Sequence, residues 1–169
     1  DVGEFAAHMD KAMAQADWAG FDKRLKTAKG NGTIRGIGMA TYIEACAFEG
    51  SEPALALLRA DGIVELRIGT QSNGQGHATA YAQFVAEKLN ISIDRIDVRQ
   101  GDTDELAKGG GTGGSRSIPL GGVSASRAGE ALSEKIKKIA ADELEASVAD
   151  IELVDGVARI VGTDRRMSF

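Results

Sequence analysis

Residues Val64 to Lys88 read VELRIGTQSNGQGHATAYAQFVAEK: an apolar alternation, a turn of small and amide residues, then a helical pattern. Val64, Leu66 and Ile68 alternate with Glu65 and Arg67, the period of a half-buried strand. Tyr81, Phe84, Val85 and Leu89 recur at three- and four-residue spacing and predict a helix with one apolar face. A strand that passes into a helix through Asn73-Gly74-Gln75-Gly76 leaves the first helical amides unpaired, and its glycines let the backbone come close to a ligand. Such a helix start suits an anion or a phosphate. Asn-Gly and Gly-x-Gly equally serve as plain turns; no P-loop lysine follows, and the spacing is not a dinucleotide fingerprint.

Composition narrows the classes. A chain of 169 residues, 43% of them hydrophobic, has enough apolar material for one domain with a sizeable core. A net charge of -5, with basic residues scattered among acids, lacks the electrostatic footprint of a nucleic-acid binder. No apolar run has the length of a membrane span and the N-terminus does not read as a signal peptide, so a soluble, cytoplasmic protein is expected. The lone Cys46 has no partner for an internal disulfide, and its apolar neighbours suggest packing. The start at Asp1 without a methionine, and the end at Phe169 without a tail, suggest an internal piece of a longer chain.

Taken in order, Glu4 to Trp18 predicts a helix with Phe5, Met9, Ala12, Met13 and Ala16 on one face, and Phe21 to Lys29 a second, closed by Gly30-Asn31-Gly32. Thr33 to Phe48 alternates like a long strand, with Gly36 and Gly38 marking either a bulge or a close neighbour; Glu44 reads most simply as a partner for an arginine. Ala54 to Arg59 and Ile63 to Gly69 flank Asp61-Gly62, a hairpin signal repeated at Asp155-Gly156 before Val157 to Val161. A long helix is expected over about 123 to 144, with Ala128, Leu132, Ile136, Ile139 and Ala140 inward. The stretches after the two main helices, from Leu89 to Val98 and from Leu144 to Leu153, echo each other as a serine-opened turn and a strand, which suggests a duplicated α/β unit. The expected fold class is α+β: a mixed sheet of strands near 33 to 48, 54 to 69, 96 to 100 and 151 to 161, with the two main helices on one face.

A second glycine-rich stretch, Lys108 to Gly122, reads KGGGTGGSRSIPLGG and leads into the long helix. Its amides, the hydroxyls of Thr112, Ser115 and Ser117, and the Arg116 guanidinium make a cradle for phosphate or a polar heterocycle; the plain alternative is a mobile glycine loop. If the two helices pack side by side, both loops come to the same end of the sheet and can hold one long anionic cofactor between them.

These two runs carry a resemblance. Gly69-Thr70-Gln71-Ser72-Asn73-Gly74-Gln75-Gly76-His77, with Thr79, Tyr81 and Gln83, resembles the Gly-Gln-Gly segment of the molybdopterin-binding large subunit of the molybdenum hydroxylases. That family includes xanthine dehydrogenase, aldehyde oxidase and the aerobic carbon monoxide dehydrogenases. Gly101-Asp102-Thr103-Asp104 and then Gly111 to Ser117 resemble its second cofactor loop, in the version of the carbon monoxide dehydrogenase-like branch, and Ile34 to Gly38 with Tyr42 and Glu44 resembles the strand ahead of the loops. The resemblance covers nearly the whole chain and implies a molybdenum cofactor-binding fold. It implies that Gly74, Gln75, Gly76 and His77 contact the pterin and phosphate portion of molybdopterin cytosine dinucleotide. Thr112, Ser115 and Ser117 would add hydrogen bonds, with Arg116 a lesser participant.

The family's catalytic glutamate, near the C-terminal end of the subunit, has no counterpart here. Neither has the upstream loop with a reactive cysteine, so no residue of this chain is assigned to catalysis or to metal ligation. The resemblance makes residues 1–169 a single domain, an internal fragment of the large subunit, inactive alone. Its partners would be the rest of that subunit and the flavin and iron-sulfur subunits or domains of a complex that forms a homodimer. Two other readings stay open: a standalone module binding a nucleotide or phosphorylated metabolite, and an assembly domain whose glycines serve only turns.

Overall fold

The computed structural model describes residues 3–43, 45–47 and 50–169. They form two compact units, residues 1–44 and 45–169. The first holds helices α1 (Phe5–Gln15) and α2 (Phe21–Gly30), joined by a 3-10 turn at Trp18–Gly20. α2 matches its expected range, while α1 ends at Gln15, three residues short of the expected Trp18, which lies in the 3-10 turn. α1 buries none of its residues, and the expected inner face of Phe5, Met9 and Met13 stays exposed or half-exposed.

The expected long strand from Thr33 is a correction: no strand forms over residues 33–43 or 45–47. A strand exists only through its ladder, and Ile34 stands 96% exposed, while a Cβ at Gly36 or Gly38 would meet nothing within 4 Å. Neither the bulge nor the close neighbour is there. Glu44 and Phe48, also part of that expectation, lie outside the described residues. Cys46 is a second correction, since it is exposed and packs no core.

The second unit carries the α+β architecture. Strands β1 (Ala54–Leu58) and β2 (Val64–Ile68) form the expected antiparallel hairpin, and β3 (Ile96–Gln100) lies parallel to β2. Helix α3 (His77–Leu89) is the crossover between β2 and β3, as a parallel pair requires. Helix α4 (Val123–Glu143) packs along α3 and against β1, so both main helices cover one face of this mixed sheet. Residues 151–160 do not join it. β4 (Ile151–Val154), β5 (Val157–Ile160) and the unforeseen β6 (Arg166–Ser168) form a separate antiparallel sheet. The reason is local. Asp155 and Gly156 both take positive φ, as a two-residue hairpin turn needs, and so supply β4 with a neighbour at once.

The core joins Val64, Leu66 and Ile68 of β2 to Tyr81, Val85 and Leu89 of α3, all fully buried, and extends through Ile136 and Ala140 to Ile151, Leu153 and Ala158 of the second sheet. Ile139 is the exception on α4: it is 49% exposed, at an apolar groove beside edge strand β1. None of the described helices is long and apolar enough to cross a membrane.

Two polar and steric features fix the helices and the second loop. Gly129 of α4 faces α3 so closely that a Cβ there would lie 3.2 Å from Val85 Cα and 3.3 Å from Lys88 Cβ. Just ahead of β1, the fully buried Glu52 side chain receives a 2.6 Å bond from Arg116 Nη1 and accepts from the Gly110 amide at 3.0 Å. Arg116 also donates to Gly111 O at 2.9 Å. A buried carboxylate is stable only when paired and hydrogen-bonded, and this one ties the second loop to the sheet.

Gly129→Val should therefore destabilise the protein by about 1–3 kcal/mol through overpacking, read as a lowered midpoint in thermal or urea unfolding. Glu52→Gln should cost about 3 kcal/mol by stranding the guanidinium, whereas Glu52→Leu combined with Arg116→Met should cost much less. Unfolding of the single and double variants checks the pair; equal losses in both would show that the ion pair is not the brace.

Candidate functional site

β2 and β3 run parallel with Ile68 opposite Gln100, so the chain leaves both strands at the same edge. Ligands of open α/β sheets bind outside such carboxyl ends. From β2 comes residues 69–76, ending at the start of α3; from β3 comes residues 101–116, ending in a π-helical turn, Ser117–Gly122, that runs into α4. Sequence reasoning expected two such loops at one end, and they touch. The Gly111 amide donates to Gly69 O at 3.3 Å. Gly69 also lies against Gly109, where a Cβ on Gly69 would stand 2.5 Å from Gly109 Cα, so only glycine allows the contact.

A closed ring of polar groups fastens the two loops. Tyr81, on α3, donates to Ser117 O at 2.9 Å. Its proton being used there, it accepts from Thr70 Oγ1 at 3.0 Å, which in turn accepts from Gln100 Nε2 at 2.9 Å. On the other side Thr112 donates to Gln71 O, accepts from the Gln71 amide at 3.2 Å, and accepts from Ser117 Oγ at 3.0 Å. Gln71 follows Thr70 in the chain, which closes the ring. Burial pushes the Tyr81 phenol above its ordinary pKa, keeping its proton in place.

The site residues named from sequence divide into two groups. Thr112 and Ser117 are brought to the first loop through Gln71, and their hydroxyl protons point within the ring. Gly74, Gln75, Gly76 and Ser115 sit on exposed tips, and among the described residues no hydrogen bond joins Ser115 to the other three. Gly74 (φ +100°) and Gly76 (φ +75°) adopt conformations natural to glycine, and a Cβ on either would meet nothing within 4 Å. Gln75 Oε1 accepts from the Asn73 amide at 2.5 Å and closes the turn. No side chain caps α3. His77, its first residue, is only 5% exposed; its ring centroid lies 5.7 Å from that of Tyr81, and its Nδ1 has no hydrogen-bond partner.

A buried imidazole nitrogen without a partner, beside the free amides of an uncapped helix start, leaves polar groups open to a ligand. Main-chain amides suit pyrophosphate, and an imidazole and a carboxamide suit the polar edge of a pterin. The residues present fit a cofactor with an anionic portion and a polar pterin edge. Reading the sequence missed Glu52, Thr70 and Gln100, and the Tyr81 hydroxyl. The available signal was Arg116 itself: a guanidinium inside a glycine loop calls for a buried acid, and Glu52 stands at the mouth of the first strand.

The molybdopterin cofactor-binding domain model matches residues 11–169. The gamma subunit of the 6-hydroxypseudooxynicotine dehydrogenase complex of Paenarthrobacter nicotinovorans is 32% identical over 100% of this chain and 21% of its own length. The carbon monoxide dehydrogenase large chain of Hydrogenophaga pseudoflava is 29% identical over 98% of this chain and 22% of its own. Among solved structures, the Cu,Mo-CO dehydrogenase in its carbon monoxide reduced state superposes with a TM-score of 0.64 at 31% identity, covering 99% of this chain and 23% of that one. The chain thus spans about a fifth of the length of the curated relatives it matches. With loops, helix starts and sheet edge arranged as above, this chain belongs to the molybdopterin cofactor-binding domain family.

Proposed function

We propose that residues 1–169 form one cofactor-cradling domain, an internal fragment of the large subunit of a molybdenum hydroxylase, an oxidoreductase of the carbon monoxide dehydrogenase-like branch. The observation that carries this reading is the junction of two glycine loops beside the uncapped start of α3, with His77 Nδ1 buried and unpartnered. The cofactor is molybdopterin cytosine dinucleotide, which supplies the molybdenum and dithiolene that perform the redox step when bound.

The chain's own residues bind and orient. Gly74, Gln75, Gly76 and His77 receive the phosphate and pterin portion through main-chain amides, a carboxamide and an imidazole. Ser115 approaches from the second loop and Ser117 offers a lone pair, while Thr112, with its proton and both lone pairs engaged, acts by holding the loops together. No residue here abstracts a proton from substrate, so the fragment alone is inactive. Its partners are the remainder of the subunit and flavin and iron-sulfur subunits or domains, in a homodimeric cytoplasmic complex. The standalone nucleotide module finds no support in the family or in the relatives.

Gln75→Ala in the full-length enzyme should lower molybdenum per subunit about fivefold, the effect of losing one hydrogen-bonding group of ordinary strength. Metal analysis alongside turnover checks this, and full molybdenum with full activity would remove Gln75 from the site.

A further inference from the structure

Tyr81 never reaches the open side of either loop. It is fully buried, yet its phenol is the node at which α3, the first loop and the second loop meet. Every hydroxyl in the ring has one proton, and the carbonyl acceptors fix where two of them go: Tyr81 to Ser117 O and Thr112 to Gln71 O. The other two follow, from Thr70 to Tyr81 and from Ser117 to Thr112. The ring therefore has one consistent arrangement of donors and no spare proton. Replacing the phenol by phenyl leaves both Thr70 and Ser117 O short of a partner in a buried place. The same tyrosine ring is the surface on which His77 rests.

We propose that Tyr81 is a positioning residue for the cofactor: the buried Thr70–Tyr81–Ser117 link sets the separation of the two loops and the pose of His77, and thereby how long the dinucleotide is retained. This rests on the cradle reading above but assigns the retention to groups that do not touch the cofactor. The backbone has been shaped to admit the phenol, since a Cβ on Gly121 would stand 2.7 Å from its oxygen.

The test uses the full-length enzyme isolated with its cofactor, and follows molybdenum release by metal analysis during prolonged dialysis. Tyr81→Phe and Thr70→Val should each release molybdenum roughly tenfold faster than the unsubstituted enzyme, as expected for one buried hydrogen bond broken. The double variant should release it no faster than the worse single one, because both cut the same ring. Thr70→Ser, which keeps the hydroxyl, should restore normal retention. Unchanged release in Tyr81→Phe and Thr70→Val, or release in Thr70→Ser as fast as in Thr70→Val, would overturn the proposal. If Tyr81→Phe does not accumulate as folded protein, the Thr70 pair alone decides. Gln75→Ala is the control for the reading beneath: loss of molybdenum there with retention in the ring variants defeats only the ring, whereas retention in all of them defeats the cradle as well.

Discussion

The parallel pairing of β2 with β3 is the constraint on which the rest depends. Parallel neighbours cannot be joined by a short turn, so α3 has to cross over, and its apolar face has to land on the sheet. Val64, Leu66 and Ile68 meet Tyr81, Val85 and Leu89 there with none of the six exposed. Burial of side chains of this size stabilises by about 1.5–3 kcal/mol each, which makes the β-α-β unit the most strongly specified part of the chain. Everything chemical follows from its direction and register: with Ile68 opposite Gln100, both glycine loops leave from one edge whether or not they attract each other.

Those loops have almost no apolar surface to hold them, and glycine gives up more chain entropy on ordering than any other residue. Polar contacts therefore do the holding. Glu52 grips Gly110 and Arg116 from below, and the ring from Thr70 to Thr112 joins the loops from within. Each device has a buried centre, Glu52 in one and the Thr70–Tyr81–Ser117 link in the other, where a satisfied network is strong and a broken one is costly. A cradle that must keep its backbone bare toward a ligand gains its rigidity from the side it turns away.

Local chemistry was legible in the sequence, and long-range pairing was not. The two halves end their helices alike: Asn90 and Glu145 take positive φ, Ile91 and Ala146 reach back to Ala86 O and Ala141 O, and Ser92 and Ser147 each accept an amide two residues on. Those are short-range rules, and the echo in sequence reflected them. What happens next differs. β4 finds β5 across Asp155-Gly156, while β3 is followed by a loop with no hairpin signal and pairs with β2 instead. Alternation over Thr33 to Phe48 had the same look as β2 but no ladder partner among the described residues, and period alone cannot tell the two cases apart. Glu52 and Arg116 are 64 residues apart, a separation over which no spacing rule operates.

The ring also divides the work between the two loops. Thr112 and Ser117 look from their sequence like donors toward a ligand, but both protons are spent on protein oxygens, and the Thr112 oxygen already accepts from Gln71 and Ser117. The groups left over are the ones the first glycine turn pointed to in sequence: main-chain amides at the start of α3 and the buried nitrogen of His77. Hydroxyls can rotate and therefore accommodate many guests, while amides at a helix start and an imidazole wedged against a tyrosine are fixed in direction. A site whose adaptable groups are locked into its frame, and whose remaining polar groups are fixed in direction, favours a guest whose shape and charge fit without adjustment.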